Sequence, residues 1–178
     1  MPKVLVPLAD GFEDIEALTV IDVLKRAGIE VETAGITGSL VMSKSGVRMH
    51  TDSRIVDMEV LKHDGIVIPG GDRSVESLMK SEKVMKIVQL LADNGKMVAA
   101  ICAGPLILSK LGILKEKRAT IAPGLEKNLG RPRGERVVID GNVITSQGPG
   151  TAMDFSLSIV QYLMGKSEAL RVKKELIA

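Results

Sequence analysis

The chain has 178 residues, enough for one well-filled α/β domain and short for two. Lys and Arg number 24 against 22 Asp and Glu, so a net charge of +2 gives no electrostatic footprint for nucleic acid or an anionic membrane, and a chain without Trp, with one Tyr and two Phe, has no base-stacking platform. One cysteine excludes an intrachain disulfide framework, no signal peptide opens the chain, and no apolar run reaches the roughly 18 residues of a membrane span, so a soluble cytoplasmic protein is expected.

Short apolar strands alternate with helical stretches, the pattern of a parallel sheet covered on both faces. Lys3 to Leu8 reads as the first strand, Glu13 to Ala27 as a helix ended by Gly28, and Glu30 to Ala34 as the second strand. Leu40 to Met42 and Val47 to Thr51 alternate around Ser45-Gly46 as a small hairpin, and Asp64 to Pro69 is the next sheet strand. Ser74 to Lys80 and Glu82 to Asn94 read as helices, the second with Val84, Ile87, Val88 and Leu91 at helical spacing. Met97 to Cys102 is a strand that ends abruptly, and Leu106 to Leu111 a helix entered through Pro105. Arg118 to Ile121 reads as a strand, and Arg136 to Ile139 with Val143 to Ser146 as a hairpin around Asp140-Gly141-Asn142. Thr151 to Met164 and Ser167 to Ile177 close the chain as helices, while Gly124 to Gly134 is the most loop-like stretch and the candidate for mobility.

Loops at the carboxyl ends of parallel strands share one edge, where ligands bind, and four segments with chemical content fall there. Cys102 sits at a strand-to-helix turn with small residues, Ala100 and Gly104, two positions to either side, as an exposed nucleophile requires. The amino end of the following helix is expected to favour its thiolate, although a lone cysteine also serves as a small buried hydrophobe. Glu16 heads a core-facing stripe with Val20, Val23 and Ala27, which predicts a partly desolvated carboxyl. Glu13 and Asp14 read as first-turn acids, with Glu13 also a candidate to line the pocket. Gly70 and Gly71 let the backbone approach a ligand and point N–H groups at developing negative charge, and the N–H of Ala103 adds a further donor. Ser146 and Gln147 are expected to border the pocket as hydrogen-bonding groups. His50 lies in the predicted hairpin, and His63 reads as a solvated loop residue at the amino end of a strand. Neither supplies a base for Cys102, metal ligands do not cluster, and no phosphate-binding glycine fingerprint follows the first strand.

Leu8 to Glu16, Val67 to Gly71, Ala99 to Pro105 and Thr145 to Thr151 resemble the motifs of the ThiJ/PfpI superfamily, in particular the branch of the human parkinsonism-associated protein deglycase. The resemblance covers nearly the whole chain and implies a single ThiJ/PfpI-type domain over residues 1–178. It implies a flavodoxin-like, class I glutamine amidotransferase-like three-layer sandwich with a mainly parallel sheet, and a homodimer. Carried onto this chain, it makes Cys102 the nucleophile, Glu16 the acid that contacts it, and Gly70, Gly71 and Ala103 the oxyanion-type backbone donors, with no cofactor and no metal. Ala103 stands where the peptidase branch has His after the cysteine, and Ala122, before Pro123, stands where human-like members place a His. The activity implied is conversion of reactive carbonyls such as methylglyoxal, or of their adducts with amines and thiols, by a Cys102-Glu16 pair. A stress-protective, chaperone-like redox sensor working through oxidation of Cys102, and a PfpI-type cysteine peptidase, are the alternatives.

Overall fold

In the computed structural model, which describes residues 1–178, strand β1 (Lys3–Leu8) is buried on both faces. Val4, Val6 and Leu8 enter one apolar cluster and Leu5 the other, as the two-residue period of a strand requires. The same division recurs on β7 (Met97–Ile101), where Ala99 and Ile101 face one cluster and Val98 and Ala100 the other. Each cluster holds 24 buried residues, so the two faces of the sheet are covered about equally. Helices α1 (Asp14–Arg26), α5 (Ala152–Met164) and α6 (Lys166–Glu175) supply the first, through residues such as Val20, Phe155 and Val172. Helices α2 (Asp72–Lys80), α3 (Glu82–Asp93) and α4 (Pro105–Lys110) supply the second, through Leu78, Leu91 and Ile107. At about 1.5–3 kcal/mol for each large apolar side chain buried, these two layers are the main source of stability.

The other sheet strands are β2 (Glu30–Gly35), β5 (Ser53–Arg54), β6 (Gly65–Ile68), β10 (Val137–Asp140) and β11 (Val143–Ser146). Two short pairs stand apart: β3 (Leu40–Met42) with β4 (Arg48–His50), and β8 (Arg118–Ala119) with β9 (Arg131–Pro132). The seven-stranded sheet runs β10-β11-β7-β6-β1-β2-β5, with every neighbouring pair parallel except β10 and β11. This is the expected flavodoxin-like sandwich with a mainly parallel sheet. The chain leaves β1 toward β2 on one side and returns to β6 on the other, so the strand order reverses between β1 and β6. A crevice opens at the carboxyl ends of strands at such a reversal.

Three expectations need correction. His63 is buried, with Nε2 3.1 Å from Glu32 Oε2 and Nδ1 3.3 Å from the Val60 carbonyl, because the 3-10 turns Ile55–Asp57 and Val60–Lys62 fold the preceding segment against the sheet. Residues 124–134 are not free loop: Glu126–Asn128 forms a 3-10 turn, the Ser109 hydroxyl donates to the Asn128 carbonyl, and Arg133 N–H donates to the Ala119 carbonyl at 2.8 Å beside β9. The strand predicted over residues 118–121 accordingly ends at Ala119, where its partner runs out.

Candidate active site

Strand β7 stops at Ile101, and Cys102 turns out of the sheet with φ +63°, the left-handed region that a side chain occupies at a cost of about 1–2 kcal/mol. Both of its backbone groups are tied: its N–H donates to the Ser146 carbonyl and its carbonyl accepts from Ala122 N–H, each at 3.0 Å. A Cβ on Gly104 would sit 2.8 Å from the Ile68 carbonyl oxygen and 2.9 Å from that of Ile101, so the turn admits no side chain there. Pro105 then opens α4, as its fixed φ allows.

Glu16 approaches the sulfur from the first turn of α1 and is fully buried. Its Oε2 accepts the Gly70 N–H at 2.6 Å, and its Oε1 is buried with no hydrogen-bond partner. Burial pushes this carboxyl up to about 7, against the opposing pull of the Gly70 N–H and the Cys102 side chain. With Oε2 occupied by a donor, the proton of the neutral acid belongs on Oε1.

Burial, followed by the charge of Glu16, pushes the Cys102 thiol up to about 12, while the N–H groups of Ala103 and Gly71 act in the opposite direction. Burial and the charge of an ionised Glu16 therefore both work against the thiolate expected from a helix end. Helix α4 has only six residues, too short to outweigh a buried carboxylate next to the sulfur. The two groups titrate as one pair, because a single negative charge on either opposes the loss of the second proton.

Gly70 and Gly71 are needed for different reasons. A Cβ on Gly70 would lie 2.6 Å from both Cys102 Cβ and Glu16 Oε2, whereas Gly71 has φ +96° and would place a Cβ 2.2 Å from the Gly11 carbonyl oxygen. The role expected for Gly70 also changes. Its N–H is engaged in holding Glu16, so the donors left to face the sulfur are those of Gly71 and Ala103.

The remaining expected residues are peripheral. Glu13 immediately precedes α1 without a side-chain capping bond and pairs with Lys44 at 3.0 Å, its charge adding to the upward push on Glu16. Ser146 takes part through its carbonyl, since its hydroxyl is bound to the Arg136 carbonyl at 2.7 Å and to Thr151 Oγ1 at 2.6 Å. The Gln147 side-chain amide donates to the Gly134 carbonyl at 3.0 Å. His50 is exposed on β4, and His63 lies at the opposite, amino-terminal edge of the sheet. Ala122 is hydrogen-bonded to the backbone of Cys102, so the position where a histidine was expected by resemblance does adjoin the centre and is filled by a methyl group. Lys44, on the turn between β3 and β4, was missed. Its charge pulls Glu16 downward from a segment whose proximity no local sequence pattern announces.

An α/β sandwich carrying a strained cysteine at the carboxyl end of a central strand, with a buried acid beside it, defines a flavodoxin-like protein with a cysteine elbow. Residues 2–162 match the DJ-1/PfpI family, and the chain belongs to that family. It is 40% identical over 177 residues to DJ-1 homolog B of Arabidopsis thaliana; the match covers 97% of this chain but 40% of that longer relative. A Thermococcus kodakarensis protein named a deglycase is 32% identical over 165 residues, covering 90% of this chain and 99% of that one. The solved structure of oxidized DJ-1 from Toxoplasma gondii matches with a TM-score of 0.96 at 32% identity, over 99% of this chain and 98% of that one. No helix is long and apolar enough to cross a membrane.

Proposed function

We propose that this protein is a cofactor-free, cysteine-dependent enzyme that converts small 2-oxoaldehydes such as methylglyoxal, or their adducts with amines and thiols, as a glyoxalase or deglycase does. The observation that carries the reading is the fully buried Glu16 beside Cys102, with a carboxyl pushed up to about 7 and one oxygen left unpartnered. Similarity to the archaeal protein named a deglycase supports the same class.

As the sulfur attacks, Glu16 takes the thiol proton and a C–S bond forms at the aldehyde carbon. The carbonyl π pair moves onto oxygen, where the N–H groups of Gly71 and Ala103 stabilise the charge, and Glu16 returns the proton to give a hemithioacetal. The Glu16 carboxylate then removes the proton on that carbon and delivers it to the neighbouring one. The hydroxyl proton of the hemithioacetal passes to the former ketone oxygen, so that the former aldehyde carbon is oxidised to a thioester as the adjacent ketone is reduced to an alcohol, and no electrons enter or leave. Water cleaves the thioester, releasing lactate from methylglyoxal and restoring the thiol.

A reducing compartment such as the cytoplasm, which keeps a lone thiol free, belongs to the same proposal. So does a homodimer, for which the exposed Ile15 and Leu18 on α1 offer an uncovered apolar face. Purified protein is expected to form lactate from methylglyoxal without added cofactor, and Cys102→Ala and Glu16→Gln to lose that activity. Consumption by Cys102→Ala at the unmodified rate overturns the reading.

A second reading rests on the same unpartnered oxygen. A protonated carboxyl beside the sulfur can donate to an oxygen carried on it, which would trap Cys102 as the sulfinate under mild peroxide. A mass gain of two oxygens on Cys102, lost in Glu16→Gln, supports it. The peptidase alternative has no histidine near the sulfur to act as base.

A further inference from the structure

Beside the reactive pair lies a polar cleft of about 450 Å³ between the turn of the β3–β4 hairpin and the start of α2. Only one of its eight lining residues is hydrophobic, and its walls carry Lys44, Asp72 and Arg73 around the backbone of Gly11 and Gly46. The cleft adjoins the centre through Gly71, which packs against the Gly11 carbonyl, precedes Asp72 and turns its own N–H toward the sulfur. Lys44 responds to the charge of both Asp72 and Cys102, which places the cleft within electrostatic reach of the reactive atom.

The charges in the cleft are unevenly committed. Lys44 is paired with Glu13, whereas Arg73 makes no ion pair. Arg73 also sits in the first turn of the nine-residue helix α2, whose N-cap, Gly71, has no side chain to cap the first N–H groups. An unpaired guanidinium lining a polar cleft suits a carboxylate or phosphate.

We infer that this cleft is a recognition subsite for an anionic group on the substrate, with Arg73 as the residue that sets specificity. The class implied is a 2-oxoaldehyde bearing a carboxylate or phosphate a few bonds from the reacting carbonyl. The inference rests on the function proposed above and narrows its substrates. Asp72 works against the anion and limits how strongly it is preferred.

The test compares kcat/KM for methylglyoxal with that for 4,5-dioxopentanoate, which has the same 2-oxoaldehyde head and a carboxylate two methylenes away, and for the phosphate ester of hydroxypyruvaldehyde. The unmodified protein is expected to prefer at least one anionic substrate by about tenfold, the yield of one charge-assisted hydrogen-bonded contact, and the better of the two identifies the group read. Arg73→Ala lowers that preference about tenfold, Arg73→Lys retains most of it, and Asp72→Asn raises it; added salt weakens it throughout. An equal loss on charged and neutral substrates in Arg73→Ala, or no preference in the unmodified protein, overturns the subsite. Protection of Cys102 from iodoacetamide by 4-oxopentanoate and by inorganic phosphate gives a readout that needs no turnover. If no carbonyl is consumed, the proposed function fails and protection alone decides. Protection weakened about tenfold in Arg73→Ala sustains the subsite, and protection absent or unchanged by that substitution refutes it.

Discussion

The backbone N–H of Gly70 donates to Oε2 of Glu16 at 2.6 Å, so one side of a buried carboxyl is fixed by the turn that follows β6 while its other oxygen is buried without a partner. This contact orients the acid and opposes part of the upward push that burial exerts on it.

Because burial raises Glu16 from the ordinary carboxylate range to about 7, the folded protein binds this proton more tightly than the unfolded chain does. The resulting stabilisation is fully present below the unfolded value and is lost as the pH rises through about 7. Its size is on the order of 3 kcal/mol. Urea unfolding of the unmodified protein and of Glu16→Gln, at intervals between about pH 4 and pH 8, is expected to show the unmodified protein losing stability relative to the variant as pH rises. A constant difference would place the carboxyl near its ordinary value.

Gly70→Ala inserts a methyl group 2.6 Å from both Cys102 Cβ and Glu16 Oε2. Both side chains must move, at a cost of about 1–3 kcal/mol, and the proposed carbonyl conversion should fall by about tenfold or more. Thermal unfolding and initial rates on methylglyoxal check the two effects together, and a variant with unmodified rates would mean that the pair tolerates displacement.

Cys102 holds φ +63°, so replacing it tests the strain directly. Cys102→Gly should be more stable than Cys102→Ala by about 1 kcal/mol, since both remove the sulfur and only glycine occupies the left-handed region freely. Equal midpoints in denaturant would show that the turn relaxes once the sulfur is gone.

His63 and Glu32 lie at the sheet edge opposite the thiol, and His63→Ala removes both the contact to Glu32 and the one to the Val60 carbonyl. A loss of about 1–3 kcal/mol is expected, with the rate of Cys102 alkylation unaltered. A change in alkylation would connect the two edges of the sheet.

The long elements were legible in the sequence because their periods are local. The stripe Glu16, Val20, Val23 and the apolar runs of β1 and β7 predict their own burial. Strands β5 and β9 were not legible, and β8 was read two residues too long: with two residues each, they have no period, and they exist only because a distant partner supplies hydrogen bonds. The burial of His63 was missed for a similar reason, since it depends on the two 3-10 turns that precede it and on their packing against the sheet near Glu32. At the site, residue types and turns identified Cys102 and Glu16, but not that the Gly70 N–H is already engaged or that burial would raise the thiol. Both facts depend on how closely three separate chain segments approach.

Those three segments give the thiol a use beyond chemistry. Cys102, Gly70 and Glu16 follow β7, β6 and β1, which are adjacent in the sheet but far apart along the chain. Until all three strands have docked, the sulfur is an ordinary solvated thiol with an ordinary affinity for its proton. Slow alkylation of the folded protein at neutral pH is the expected consequence of the raised thiol, and it would serve as a gauge of assembly: a nascent, partly melted or destabilised molecule is expected to be labelled at this one position before a complete one.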